Sequence, residues 1–183
     1  WEPHLPLCLA QAGVEWTLVD DAHFKMAGLD DADLFGYYLT EEQGHPVKVF
    51  PSSKRLRYSI PWRDVEEVVA YLRAEATEEG EKIAVMGDDG EKFGVWPGTH
   101  EHCWAKGWME RLFAALEENA DWLQTVRLGD WASTRAPLGR AYLPAASYAE
   151  MMEWALPASK SADFARLVHS LEAEGRKDVL AYM

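Results

Sequence analysis

Residues 82–91 read Lys-Ile-Ala-Val-Met-Gly-Asp-Asp-Gly-Glu, a nearly continuous apolar run that ends in carboxylates. Apolar residues at successive positions predict a strand that is covered on both faces, as the strands of a parallel sheet are. The carboxylates follow at the point where this strand is expected to end. Because α/β sheets and barrels build their functional sites at the carboxyl ends of strands, the run predicts both the class of fold and the place of the site.

Helical and strand patterns alternate along the rest of the chain. A helix is expected to begin at Asp64, where an Asp-x-x-Glu capping pattern precedes an apolar stripe, and to fade before Glu78. This alternation is typical of an α/β protein with a mostly parallel sheet. The other expected helices cover 5–12, 101–118 and a last segment that breaks at Gly175; the expected strands cover 14–19, 46–50, 56–60, 82–86 and 125–128; the expected loops cover 27–44, apart from a short helix over 30–35, and 130–140.

The composition excludes several classes of protein. The chain has 183 residues, of which 48% are hydrophobic and 27% charged, and its net charge is −13. These values are typical of one globular domain, and the negative charge argues against binding to nucleic acid, whose phosphates require Lys and Arg. No apolar run approaches the roughly 20 residues that span a membrane. The two cysteines, Cys8 and Cys103, cannot form a disulfide framework, which predicts a reducing, cytoplasmic location.

The acidic stretch that follows the apolar run contains the strongest candidates for chemistry. Asp88, Asp89 and Glu91 lie within four residues of one another, and a carboxyl group crowded by others can act as a general acid near neutral pH. Trp96 is expected to wall the same site. The alternative is an ordinary Asp-Gly turn followed by a solvated Glu91-Lys92 pair.

A second polar cluster, Asp20-Asp21-Ala22-His23-Phe24, follows the predicted strand 14–19. Its carboxylates and imidazole are suitable as ligands, as an acid/base pair, or as hydrogen-bond partners for a hydroxyl-rich substrate. The alternative is a loop that is closed by Asx-type hydrogen bonds around a packed histidine.

Two further segments have weaker signals. The residues His100-Glu101-His102-Cys103 include several possible zinc ligands. However, a helix that starts near Thr99 would turn the two histidines to different faces, and no second ligand cluster has matching spacing, so no metal site is predicted. Tyr148–Trp154 is either a helix with its Met and Trp side chains in the core or a wall that stacks a ligand.

The acidic stretch and four other motifs together resemble glycoside hydrolase family 57. Residues 88–99 read Asp-Asp-Gly-Glu-Lys-Phe-Gly-Val-Trp-Pro-Gly-Thr, which is similar to the signature of that family. The resemblance runs from Trp1 to about Gly175. The other matching motifs are, in chain order, Asp20-Asp21-x-His23-Phe24, Arg57-Tyr58-x-Ile60-Pro61, Lys106-Gly107-Trp108 and the stretch from Tyr142 to Trp154.

The resemblance implies a fold and a substrate class. The family comprises α-amylases and 4-α-glucanotransferases built on an incomplete (β/α)7 barrel, so the chain is expected to be the C-terminal portion of such a barrel running into a helical region. Residues 1–120 would form a partial barrel that carries the acid/base strand end, and residues 121–183 the barrel end and the start of the helical region. No cofactor is implied, and the implied partner is an α-glucan or maltooligosaccharide, with no nucleic acid and no membrane.

The resemblance also implies the roles of individual residues. The family is a retaining one that uses a Glu nucleophile and an Asp general acid/base, and by position the acid/base falls on Asp89. Its neighbouring glutamate would tune it or contact substrate, and the aromatic residues would stack on glucose rings. The residues implied to contact substrate are Glu91, Trp96, Trp154, Asp21 and His23.

The nucleophile of the family lies in a Glu-Arg-x-Trp stretch whose Trp aligns with Trp1, so it is expected just upstream of this residue. The chain is therefore expected to be a fragment of the catalytic barrel that does not turn over glucans by itself. Two other hypotheses stay open. One is a non-catalytic α-glucan-binding protein of the same lineage. The other is an α/β domain whose acidic loops bind a divalent metal and whose aromatic residues form only the core.

Overall fold

A computed structural model describes residues 1–180 as a four-stranded sheet with helices. Its strand order is β1-β3-β2-β4, in which β3 pairs parallel with β1 and antiparallel with β2, and β2 pairs parallel with β4. The α/β class is therefore confirmed, but the sheet is mixed where a mostly parallel one was predicted. The strands are β1 (Trp16–Asp20), β2 (Tyr38–Glu42), β3 (His45–Ser52) and β4 (Gly139–Arg140).

Two short helices leave the same edge of the sheet, because α2 follows β1 directly and α3 follows β3. The side chain of Asp20 caps α2 by accepting from the amide of Ala22 (3.0 Å), and the side chain of Ser53 caps α3 by accepting from the amide of Leu56 (3.2 Å). No helix within residues 1–180 combines the length and the apolar character of a membrane span. The helices are α1 (Leu5–Gln11), α2 (Asp21–Met26), α3 (Lys54–Ser59), α4 (Val65–Glu75), α5 (Trp108–Glu118), α6 (Leu128–Thr134), α7 (Ala149–Trp154), α8 (Ala158–Ala173) and α9 (Lys177–Leu180).

The run over residues 82–86 is covered on both faces, as predicted, but the predicted strand is reduced to a single parallel bridge, between Val85 and Ser52. Ile83 and Val85 are buried with Phe50, whereas Ala84 and Met86 pack against the cluster formed by α4 and α5. One bridge is sufficient to bring the end of this run to the edge of the sheet where β3 ends.

Successive residues of the strands alternate between two buried clusters. On β3, Val49 joins one cluster with Phe24 and Tyr38, and Phe50 joins the other with Tyr37. This two-residue period means that each face of the sheet is buried against different elements. A third cluster, centred on Trp108 and Leu112, lies between α4 and α5.

Two predictions between residues 27 and 60 are wrong. Residues 56–60 were expected to form a strand, but Lys54–Ser59 is a helix because Ser53 supplies its N-cap. Residues 27–44 were expected to be a loop around a short helix. That turn exists over Asp31–Asp33, but β2 follows it and turns into β3 through Gln43 and Gly44, which both have positive φ.

The predicted helix over 101–118 is two elements. A π-helical turn covers Glu101–Ala105, and α5 begins only after Gly107, whose φ of 70° breaks the helical path. Trp104 and Phe113 are exposed, whereas Trp108 and Leu112 of α5 are buried. The predicted strand over 125–128 is absent, and α6 occupies part of the expected loop 130–140.

Candidate functional site

The candidate site lies where β1, β3 and the run ending at Met86 all finish. β1 and β3 are parallel, and Val85 pairs parallel with the last residue of β3, so their carboxyl ends share one edge. The hydroxyl of Ser52 at this edge accepts a hydrogen bond from the amide of Gly87 (3.0 Å). This hydrogen bond attaches Gly87, which immediately precedes the acidic stretch, to the sheet.

Four charged side chains form a buried ion network at this edge. Arg57 Nη1 donates to Asp20 Oδ2 (2.7 Å), and its Nε lies 4.0 Å from Asp88 Oδ1. Lys92 Nζ lies 2.5 Å from Asp88 Oδ2 and also donates to the backbone carbonyl of Arg57. The side chains of Asp20, Arg57, Asp88 and Lys92 are 8, 18, 5 and 5% exposed. Two cations thus balance two carboxylates in a region with little water.

The three carboxylates of the acidic stretch lie in two different environments. Asp88 is buried in the ion network, whereas Asp89 and Glu91 are exposed, and neither of these two side chains makes a hydrogen bond or ion pair with any residue of 1–180. Hydrogen bonds fix the backbone at Asp89 and Glu91. The amide of Asp89 donates to Asp88 Oδ1 (2.9 Å), and the carbonyl of Glu91 accepts from the amides of Val95 (2.8 Å) and Trp96 (3.0 Å). The stretch is a turn, and it presents two free carboxylates from a fixed backbone.

Asp21 is buried rather than exposed to a cleft. Its Oδ2 accepts from the amide of Lys54 (2.9 Å), at the start of α3. Burial raises the pKa of the Asp21 carboxyl, and the neighbouring Asp20 charge adds to this, while the hydrogen bond from the Lys54 amide opposes it. The segment predicted as either a ligand cluster or a closed loop is in fact the first turn of α2.

His23 is also buried, and both of its ring nitrogens face backbone carbonyl oxygens. Nδ1 lies 3.0 Å from the carbonyl oxygen of Asp20, and Nε2 lies 3.0 Å from that of Ala146. A neutral imidazole can donate to only one of them, so both contacts are hydrogen bonds only if the ring is protonated. Through Ala146, the ring connects α2 to the segment that precedes α7.

The two tryptophans predicted to contact sugar are both accessible. Trp96 is 41% exposed and follows the acidic stretch directly, and Trp154 is 70% exposed at the end of α7. The alternative that places the Met and Trp side chains of this helix in the core is wrong, because Met151 and Met152 are exposed as well. Tyr148, which precedes α7, lies with its ring 5.3 Å from the Arg57 guanidinium, so α7 begins at the ion network.

Two members of the network were missed by the sequence reasoning. Lys92 was interpreted as solvated, and Arg57 was noted only as part of a motif. The spacing of Asp88 and Lys92, four residues apart, is an available signal for an ion pair. No local pattern connects Arg57 to Asp20, because 37 positions separate them.

The histidines near Thr99 are not arranged as metal ligands. His102 Nε2 lies 2.7 Å from the carbonyl oxygen of Pro61, and its ring stacks on Trp62, whereas His100 is exposed. Among the side chains that the structure describes, no group of three or more His, Cys, Asp or Glu is placed to hold a metal ion.

The chain is similar to known proteins over nearly its whole length. Residues 1–144 match the model of glycosyl hydrolase family 57. The chain is 47% identical to alpha-amylase 1 of Dictyoglomus thermophilum over 97% of its own length and 26% of that protein. It is 43% identical to the 4-alpha-glucanotransferase of Thermococcus litoralis over 96% of its own length and 27% of that protein.

A solved structure extends the likeness to three dimensions. The crystal structure of the 4-alpha-glucanotransferase from Thermococcus litoralis covers 100% of this chain with a TM-score of 0.94 at 42% identity, and the match takes up 28% of that chain. The chain thus spans about a quarter of the length of the relatives it matches. With a family match over residues 1–144 and the same fold throughout, the chain belongs to glycosyl hydrolase family 57.

Proposed function

We propose that this chain supplies the general acid/base, Asp89, and part of the sugar-binding surface of a retaining enzyme that acts on α-1,4-glucans. One observation carries the proposal: Asp89 is an exposed carboxylate without a protein partner in residues 1–180, on a backbone held by a buried ion network at the carboxyl edge of the sheet. The names of its relatives, alpha-amylase and 4-alpha-glucanotransferase, support the substrate class.

In the proposed reaction, Asp89 protonates the glycosidic oxygen as the bond to the anomeric carbon breaks. It then accepts a proton from the water or sugar hydroxyl that attacks the covalent intermediate. Glu91, two residues away and equally free, contacts the substrate or tunes Asp89. Trp96 and Trp154 offer exposed indole faces on which glucose rings stack.

Asp21 and His23 stay predicted substrate contacts. Both ring nitrogens of His23 face backbone carbonyl oxygens, and Oδ2 of Asp21 accepts from the amide of Lys54, so a sugar hydroxyl would compete with these contacts. In their present arrangement they hold α2, α3 and the segment around Ala146 together at the site.

A retaining enzyme needs a second carboxyl about 5–5.5 Å from the first, and the resemblance places it just before Trp1. The structure supports this placement, because the amino group of Trp1 donates to the carbonyl of Ala146 (2.6 Å) and the amide of Ala146 donates to the carbonyl of Trp1 (3.1 Å). Since the Ala146 carbonyl also faces His23, Trp1 is held at the edge of the sheet that carries Asp89. We therefore propose that the 183 residues alone bind glucan without turnover.

The test is a hybrid enzyme, the Thermococcus litoralis 4-alpha-glucanotransferase in which this chain replaces the 28% that it matches. We expect the hybrid to cleave or transfer maltooligosaccharides and Asp89→Asn to lower this rate by about 10²- to 10⁴-fold. The matched control is Asp121→Asn, at an exposed position outside the site. An active hybrid that is indifferent to Asp89→Asn would refute the proposal.

A second substrate isolates the acid step. Fluoride leaves α-maltosyl fluoride without protonation, so Asp89→Asn should still release a first equivalent of fluoride from the hybrid while it fails on maltooligosaccharides. The alternative of a non-catalytic glucan-binding protein predicts a different pattern. In that case the chain binds maltooligosaccharide, and a folded hybrid is inert on both substrates.

A further inference from the structure

We infer that Lys92 is the positioning residue of the acid/base loop, an inference that rests on the role proposed for Asp89. Lys92 is a buried lysine, 4% exposed, with its ammonium group between Asp88 and the carbonyl of Arg57. An ammonium group is rarely buried unless its partners compensate for the lost water. The burial of this ammonium group, three residues after Asp89, therefore indicates a structural role for Lys92 in the loop.

Lys92 acts on Asp89 through a single intermediate, Asp88. One carboxylate oxygen of Asp88 lies 2.5 Å from Lys92 Nζ, and the other accepts from the backbone amide of Asp89 (2.9 Å). Fixing Asp88 therefore fixes the backbone of the next residue. The Asp89 side chain makes no hydrogen bond or ion pair within residues 1–180, so the position of its carboxylate depends on this backbone.

Lys92, rather than Arg57, holds Asp88. The Arg57 Nε is 4.0 Å from Asp88 and has no hydrogen-bond partner among residues 1–180. The contribution of Arg57 is to anchor the other end of the chain of contacts. Its guanidinium is bonded to Asp20 at the end of β1, and its carbonyl accepts from Lys92. The contacts thus run from the sheet through Arg57, Lys92 and Asp88 to the amide of Asp89.

The consequence for catalysis is geometric. A catalytic group displaced by about 1 Å can lose about 100-fold in rate while substrate binding is little affected. We therefore expect Lys92→Met in the hybrid enzyme to lower kcat on maltooligosaccharides by about 100-fold, with KM changed by less than about threefold. Lys92→Arg keeps the charge and should recover part of the loss.

The matched control is Lys160→Met. Lys160 forms an ion pair with Asp163 (3.4 Å), but both side chains are more than half exposed, at 67 and 51%, and neither belongs to a motif of the family. Its substitution should leave kcat and KM unchanged. All rates are divided by the folded fraction, which is measured by circular dichroism at the assay temperature.

The release of fluoride from α-maltosyl fluoride separates positioning from a general loss of structure. Because this leaving group needs no proton, Lys92→Met should keep the first-turnover fluoride release while it loses the maltooligosaccharide reaction. Equal losses on both substrates would overturn the inference. So would an unchanged kcat for Lys92→Met in a hybrid that Asp89→Asn inactivates. If Asp89→Asn itself has no effect, the proposed function fails instead.

Two measurements keep the inference testable if Lys92→Met does not fold. The double variant Lys92→Met/Asp88→Asn leaves neither charge stranded and should show the same loss of kcat; full activity would contradict the inference. In the unmodified chain, hydrogen exchange should show the Asp89 amide protected relative to an unstructured peptide. An unprotected Asp89 amide would show that Asp88 does not hold it, and the inference would be wrong.

Discussion

The ion pair between Arg57 and Asp20 should be far more important for stability than a surface pair of the same chemistry. Arg57 Nη1 lies 2.7 Å from Asp20, and these side chains are 18 and 8% exposed. Arg166 lies 2.5 Å from Asp163, but those side chains are 72 and 51% exposed. Distance alone would make the second pair the stronger one, whereas burial predicts the opposite order.

The magnitude follows from what Arg57→Met leaves behind. The substitution strands the buried carboxylate of Asp20, and breaking a buried pair in this way typically costs about 3–5 kcal/mol. We expect the lower end of this range, because Arg57 retains some access to water and Asp20 keeps its hydrogen bond from the amide of Ala22. The lost contact with the Tyr148 ring adds about 0.5–1 kcal/mol. Arg166→Met should cost less than about 1 kcal/mol.

Denaturant unfolding of both variants measures the difference. For a chain of this length about 3 kcal/mol corresponds to a fall in Tm of about 6–12 °C, so thermal unfolding should also resolve it. Arg57→Met/Asp20→Asn removes the stranded charge and keeps the cap of α2, and it should be more stable than Arg57→Met alone. Equal losses for Arg57→Met and Arg166→Met would refute the argument that burial decides the value of these pairs.

Three further substitutions, two of them paired with a control, test the core, the pH dependence and the proposed sugar-binding surface. Phe24→Ala, at a fully buried position, should cost about 3–5 kcal/mol in unfolding free energy, whereas Phe113→Ala, at an exposed position, should cost less than about 1 kcal/mol. Because burial raises the pKa of Asp21 above its unfolded value, Asp21 lowers stability as pH rises from about 4 through its folded pKa. Asp21→Asn should therefore raise Tm at pH 7, and a gain that does not shrink towards pH 4 would contradict this sign. Trp96→Ala should weaken maltooligosaccharide binding to the chain, measured by calorimetry, by up to about tenfold, while Trp122→Ala in the groove between α4 and α5 should not change it.

The local sequence pattern was sufficient to predict a helix where interactions between neighbouring residues determine it. The Asp-x-x-Glu pattern at residue 64 and the apolar stripe after it predict α4, in which Asp64 takes the N-cap position without a capping hydrogen bond from its side chain. Gly175, with its φ of 69°, ends the region of α8 as expected. The pattern failed over 54–60, because a short segment with apolar residues at alternate positions suits either a strand or one turn of helix. In this segment the hydroxyl of Ser53 stabilises the helix by accepting a hydrogen bond from the amide of Leu56.

The family, the α/β class and the loop that carries Asp89 can be predicted without coordinates, since they depend on the identity and order of neighbouring residues. Which carboxylates are free depends instead on contacts between distant segments. Asp88 and Asp89 are adjacent and chemically equal, yet one is buried between Lys92 and Arg57 and the other is exposed. That distinction depends on α3, about 30 residues earlier in the chain, because the carbonyl of Arg57 accepts from the Lys92 ammonium group that pairs with Asp88. Burial and charge pairing thus depend on which segments the fold brings together.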